Sequence, residues 1–317
     1  MKVFFLRILL VINNFLQVRS DFEKFAKVLV WTKTSFCYNY SMKLLKRILF
    51  LSLAIGVIWG FWGAWGRPEK GRREPAKKEI AEKSLRFVVM SDVHSDWKNF
   101  QKALETVKGS EGLVIITGDL TTIGTKNELI EAKKILDESG LRYYVIPGNH
   151  DVWWGRKYKK DVWGEVFGDS FKSFKEGETK FILINNGDAL QGFEGVGGNG
   201  EKQMDWLKEE TAECPKIYCL VFMHMPLNHP NSLHVMGEEN PLVASEAGEI
   251  KELLKKNGVK EIFAGHLHFS SSYEIDGLRT TIVGAVTSDR NLQSPKFLEV
   301  QWEDGQLKKQ EVFLTTN

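Results

Sequence analysis

Five short clusters hold the residues best able to do chemistry. They are Asp92 and His94 in Asp92-Val93-His94, Asp119 after Gly118, Asn149, His150 and Asp151 in Gly148-Asn149-His150-Asp151, His224, and His266 and His268 in Gly265-His266-Leu267-His268. Five of the seven histidines fall inside them. Carboxylates, imidazoles and one carboxamide make a mixed donor set. Such a set suits Mn²⁺, with Fe and Zn²⁺ as alternatives, better than Mg²⁺ or Ca²⁺, which favour all-oxygen shells. Two cations ~3.5–4 Å apart can activate a nucleophile and hold phosphoryl oxygens during in-line displacement. The residues therefore predict two divalent or transition metal ions acting on a phosphate ester. Each cluster alone is common surface chemistry, and their joint occurrence in order carries the reading.

Something must deliver these residues to one place. Each cluster closes an apolar run of strand type, and α/β folds place ligands beyond the carboxyl ends of their strands. Leu85–Met90 leads to Asp92, Leu113–Thr117 to Asp119, Tyr143–Ile146 to Gly148, Lys216–Met223 to His224, and Glu261–Ala264 to His266. Between them Asn99–Lys108, Lys126–Ser139, Glu201–Glu213 and Gly248–Asn257 read as helices, with Gly140 as a C-terminal stop. Strand and helix alternate, which predicts an α/β fold with parallel strands. Residues two apart on an extended segment share a side, so Asp92 with His94 and His266 with His268 are expected to converge as strand neighbours. Short strands are predicted at Ser271–Ile275, Thr280–Val283, Lys296–Trp302 and Lys308–Leu314.

Residues 151–200 show less regular patterning and are rich in aromatics, among them Trp153, Trp154, Tyr158 and Trp163. They read as a core layer or as a rim beside the site. Gly195 to Gly200 matches G-x-G-x-x-G, but no strand feeds it directly, so the glycines read as a loop. His234 reads as a solvated loop residue; His229, five residues past His224, is close enough to touch a substrate. Cys214 and Cys219 are near enough to pair but read as free thiols around a buried strand. A net charge of +2 gives no reason for a nucleic-acid-binding surface.

The chain divides into four parts. Residues 1–41 are interrupted by Arg7, Asn13 and Asn14, and Met42 opens a second start-like pattern, so translation is expected to begin there. Residues 42–66 carry a basic start and then Ile48–Gly66 without a charge, with Trp59, Trp62 and Trp65 near the end. That length suits one N-terminal transmembrane helix, a single-pass membrane anchor, ahead of a cleaved signal peptide. Residues 67–84 are a charged linker, and 85–317 the catalytic domain. Basic residues flank both ends of the apolar run, so the side of the membrane on which the domain lies stays open.

The ordered set D-x-H, G-D, G-N-H-D, H, G-H-x-H resembles the calcineurin-like metallophosphoesterase superfamily, from about Leu85 onward. The resemblance implies a four-layer α/β/β/α sandwich of two mixed sheets. It implies one metal on Asp92, His94 and His268, another on Asn149, His224 and His266, and Asp119 bridging. A hydroxide shared by the metals would be the nucleophile. His150 would contact the phosphoryl group or protonate the leaving oxygen, with Asp151 orienting its ring. Thr122 stands where purple acid phosphatases carry an iron-binding tyrosine, and Leu120-Thr121-Thr122 replaces the Asp-Arg-Gly run of Ser/Thr protein phosphatases. The set is most similar to bacterial phosphodiesterase-like members, which implies diesters ahead of monoesters.

Overall fold

The computed structural model describes residues 85–108, 112–187, 200–237, 241–303 and 305–314. The expected extension, the anchor at 42–66, the linker at 67–84 and most of the glycine string lie outside them. Among the described residues no helix is long and apolar enough to cross a membrane.

Two mixed sheets carry the fold. In the first, β1 (Arg86–Met90), β2 (Leu113–Ile116) and β3 (Arg142–Val145) run parallel, and β10 (Lys296–Glu303) and β11 (Gln306–Phe313) continue antiparallel from β1. The second has the order β4-β5-β6-β7-β9-β8. There β5 (Thr179–Leu183), β6 (Tyr218–Phe222), β7 (Glu261–Ala264) and β9 (Leu278–Ile282) are parallel, while β4 (Lys172–Glu176) and β8 (Ser271–Ile275) close the edges antiparallel.

The sequence builds this by alternation. Phe87 and Val89 of β1 face the second sheet, where Phe181, Leu183, Leu220, Phe222 and Phe263 meet them. Val88 and Met90, one residue out of phase, face helices α1 (Trp97–Val107) and α2 (Lys126–Ser139). Ile182, Cys219, Val221 and Ile262 likewise face α5 (Gly200–Thr211) and α6 (Pro241–Lys256). A period of two on each strand thus yields one core between the sheets and one on each outer face. Phe87 centres the inner core, edge-on to Phe181, Phe222 and Phe263 at 5.1, 5.9 and 5.8 Å. Each such ring, fully buried, contributes about 1.5–3 kcal/mol through apolar burial.

Helix α2 begins at a complete capping box: the Thr125 hydroxyl accepts from the Glu128 N–H, and Glu128 accepts from the Thr125 N–H. It stops at Gly140, whose φ of 69° the missing Cβ permits. Helix α6 starts seven residues before the predicted Gly248. Residues after His150 are more regular than predicted, forming α3 (Asn149–Tyr158) and α4 (Val162–Phe167). Cys214 and Cys219 are disulfide-bonded, not free thiols; the turn after α5 brings their Cα atoms to 5.4 Å.

Candidate metal centre

All seven predicted metal ligands gather where the two sheets present their strand ends. Four of them follow β1, β2 or β6 directly: Asp92, His94, Asp119 and His224, all buried. Asn149 opens α3, and His266 and His268 follow β7, all three part-buried.

The donor atoms fall into two groups that share one carboxylate. His94 Nε2 and His268 Nε2 lie 3.0 Å apart, and His268 Nε2 is 3.6 Å from Asp92 Oδ1. His224 Nε2 is 3.0 Å from Asn149 Oδ1 and 3.2 Å from His266 Nδ1. Asp119 Oδ2 stands between the groups, 3.6 Å from His94 Nε2 and 3.2 Å from His224 Nε2. Spacings of this size are what ligands ~2.0–2.2 Å from a common cation leave between themselves. With their Nε2 or Nδ1 lone pairs turned inward, paired imidazoles buried among carboxylates fit a cation. The residues present fit two metal ions.

The backbone that achieves this is not the expected extended one. Asp92, His94, Asp119, His266 and His268 all have φ between 45° and 70°, the left-handed region. Such a conformation costs of order 1–3 kcal/mol per residue and persists only where neighbours enforce it. Here the loops are zipped together: Asp92 N–H donates to Gly118 O, and Val93 and His94 N–H both donate to Asp119 O. Asp92 and His94 do serve one group, but His266 and His268 split between the two, because successive left-handed residues aim them apart. Two glycines allow the close approach. A Cβ on Gly118 would meet the Gly148 backbone and His224 Nδ1 at 2.7 Å, and one on Gly148 would meet Asp119 Oδ1 at 2.1 Å.

Partners fix the tautomers. His224 Nδ1 sits 2.8 Å from Thr117 O and so donates, which leaves Nε2 for the centre. The backbone N–H of His266, not its ring, donates to both Asp92 oxygens at 3.1 and 3.0 Å and fixes the loop instead. Burial would raise Asp119, yet the charge and hydrogen bond of His224, with the charge of His94, hold its carboxyl well below the usual carboxylate range. Burial would likewise depress His224, but Asp119 lifts it to about 9. Burial outweighs Asp119 at His94 and pulls that ring down to about 3. It also raises Asp92, against the nearby His224 and His268.

Asp151 is placed differently from the expectation. The His150 ring packs edge-on to His94 with centroids 4.6 Å apart, and its Nδ1 lies 2.5 Å from Thr122 O. Asp151 does not orient it. Its Oδ2 accepts from the Gly148 and Leu120 N–H groups, and its Oδ1 from the Thr121 N–H and hydroxyl. It clasps the Asp119 and Asn149 loops to each other. Burial, then the charge of Asp119, raises its carboxyl to about 6. The His229 ring is held by Ser271 and by the Asn231 N–H. His234, read as merely solvated, is exposed but stacks on His266 at 4.1 Å. No local pattern signals that contact, which joins residues 32 apart in the chain.

Residues 85–270 match the family described as calcineurin-like phosphoesterase. The chain is 28% identical over 180 residues to a probable glycerophosphodiester phosphodiesterase of Arcobacter nitrofigilis, an alignment covering 56% of this chain and 64% of that protein. This chain thus spans less than two thirds of that relative's length. It is 26% identical over 191 residues to a 3′,5′-cyclic-nucleotide phosphodiesterase of a Nostoc species, covering 60% and 67%. A dimetal phosphatase from Danio rerio shares the fold at a TM-score of 0.53 and 15% identity, covering 72% of this chain and 95% of that one.

Proposed function

Because the chain belongs to the calcineurin-like phosphoesterase family, we propose that it hydrolyses phosphate esters at a dinuclear metal centre, with phosphodiesters preferred over monoesters. One observation carries the two-metal reading: Asp119 Oδ2 lies within 3.6 Å of a donor from each group. Asp92, His94 and His268 would hold one ion, Asn149, His224 and His266 the other, and Asp119 both. The donor set suits Mn²⁺, Fe or Zn²⁺. When bound, the ions supply Lewis acidity toward phosphoryl oxygens and lower the pKa of an attacking water. With Nδ1–H committed to Thr122 O, His150 can give a proton from Nε2 to the leaving oxygen only as the doubly protonated ring. It would return to the neutral Nδ1–H tautomer on doing so. Asp151 holds the ligand loops in register. The diester preference is supported by the names of the two bacterial relatives and by the absence of the phosphate-gripping Asp-Arg-Gly run.

We place the domain at a membrane, tethered by the uncharged run Ile48–Gly66. The full chain, stripped of metal and reconstituted with Mn²⁺, tests the catalytic reading on bis-p-nitrophenyl phosphate and p-nitrophenyl phosphate. Mn²⁺-dependent turnover favouring the diester is expected. Faster monoester turnover would reverse the preference, and no turnover on either with both metals bound would sink the enzymatic reading for these substrates.

A further inference from the structure

Large apolar side chains that stay in water on a folded domain call for an explanation when they cluster. Among the described residues seven are exposed: Ile123, Ile130, Trp153, Tyr158, Leu233, Leu292 and Phe313. Five of these sit on the segments that frame the metal centre. Ile123, 37% exposed, follows Thr122, whose carbonyl holds His150. Leu233, 78% exposed, precedes His234, whose ring stacks on His266. Leu292, 93% exposed, lies on the loop after β9. That loop is tied to the site at both ends: the Thr287 N–H donates to Asp92 O, and Gln293 accepts from the Ser270 N–H, two residues past His268.

Trp153, 40% exposed, lies on α3 with His150. His150, Trp153, Trp154 and Lys157 are spaced i, i+3, i+4 and i+7, one face of a helix. Trp154 packs against the helix-side core, so the exposed part of this face is Trp153 and Lys157, one and two turns on from His150. Lys157 Nζ stands over the Trp153 and Tyr158 rings at 5.0 and 5.5 Å, and Lys159 and Lys160 follow, both exposed. Indole, phenol and lysine side by side form the pairing that settles at the headgroup level of a bilayer.

From this arrangement we infer that the rim of the metal centre, formed by Ile123, Trp153, Leu233 and Leu292 with Lys157, Lys159 and Lys160, is a docking face for an anionic phospholipid bilayer. Three separate segments and one helix thus carry an exposed apolar side chain next to a residue bonded to, stacked on or belonging to the site. Among the described residues all four are exposed, so packing between those residues does not explain them. The basic residues beside them complement lipid phosphate, each adding ~1 kcal/mol near an anionic surface. The chain itself supplies proximity. The uncharged run Ile48–Gly66, proposed above as an anchor, is the feature of the chain that would bring a bilayer near. Docked this way, the centre faces the phosphodiester headgroups. The inference extends the phosphodiesterase reading and names where that site works.

The test labels the full chain in a Cys37→Ser background. Single Leu233→Cys, Leu292→Cys and Gln310→Cys variants carry an environment-sensitive NBD dye, Gln310 being an exposed position on β11 away from the rim. Each is reconstituted into vesicles of phosphatidylcholine alone, or with 30 mol% phosphatidylglycerol. The expected result is a blue shift and a gain in intensity at 233 and 292 in the anionic vesicles only, with 310 unchanged. Water-like emission at 233 and 292 in both would overturn the inference. A shift independent of lipid charge would assign the rim to a second copy of the chain and overturn it too. Turnover of bis-p-nitrophenyl phosphate in the same samples separates the two readings: labels that shift without turnover leave docking intact and sink the catalytic reading, and the reverse sinks docking alone.

Discussion

His150 Nδ1 lies 2.5 Å from the carbonyl oxygen of Thr122. A carbonyl only accepts, so Nδ1 carries the proton and Nε2 is the working nitrogen. Thr122 is itself pinned, its N–H donating to Glu128 Oε1 at 3.1 Å and to Ser95 Oγ at 3.2 Å. The capping box of α2 therefore continues into the site, because the same Glu128 closes it.

His150→Ala should lower turnover by about 10²–10⁴-fold, the scale for losing an acid–base group, and leave both metals bound. Glu128→Ala should act through position, costing roughly 10-fold or more as supporting contacts at such sites do. Metal content by mass spectrometry and kcat on bis-p-nitrophenyl phosphate check both. Unchanged turnover in His150→Ala removes it from the mechanism.

Asp119 Oδ2 stands nearest to a donor of each group, so its loss cannot be confined to one ion. Asp119→Asn should release both metals together, whereas Asn149→Ala should release one first. Titration with Mn²⁺ followed by isothermal calorimetry distinguishes them. Two tight sites surviving in Asp119→Asn would refute the sharing.

The pH dependence follows from His224, raised to about 9 mainly by Asp119 after burial is overcome. A raised folded-state pKa stabilises the metal-free protein fully below the unfolded value of about 6.5, and that contribution fades as pH climbs toward 9. A metal ligand must be neutral, so metal binding expels this proton and strengthens over the same window. The Tm of the metal-free chain should therefore fall from pH 6.5 to 9, while the rise in Tm on adding Mn²⁺ grows. A Mn²⁺-induced rise that stays constant between these two pH values would contradict the linkage.

What the sequence made legible was local. Val88–Met90, Leu113–Ile116 and Glu261–Ala264 announce buried parallel strands by apolar runs alone, and the ligands stand at their ends because α/β topology puts them there. What it hid was either conformational or distant. Left-handed φ at Asp92 is held by hydrogen bonds to other loops, and an Asp or His tolerates that conformation without announcing it. Asp151 looked like a partner for its neighbour His150, yet at the third position of α3 a carboxylate caps backbone N–H groups instead. Trp153-Trp154-Gly155 masked a helix, since paired indoles and a glycine weaken its apolar period. The stack of His234 on His266 exists only once two loops have folded together.

Cys214 and Cys219 offer the last check, and it bears on where the domain lives. Both sulfurs are buried beside Leu207 and Val221, against the outer face of the second sheet. Closing so short a loop limits the unfolded chain by about 2 kcal/mol, and Cys219 lies on β6, the strand that delivers His224. Cys214→Ala with Cys219→Ala should thus cost stability of that order and leave Mn²⁺ affinity unchanged. Disulfides persist in oxidising compartments, so whether this bond forms in the cell is a test of the compartment that holds the domain. Alkylation of the freshly isolated chain, denatured without reductant, should leave Cys214 and Cys219 unmodified. Modification of both would mean that the bond does not form in the cell.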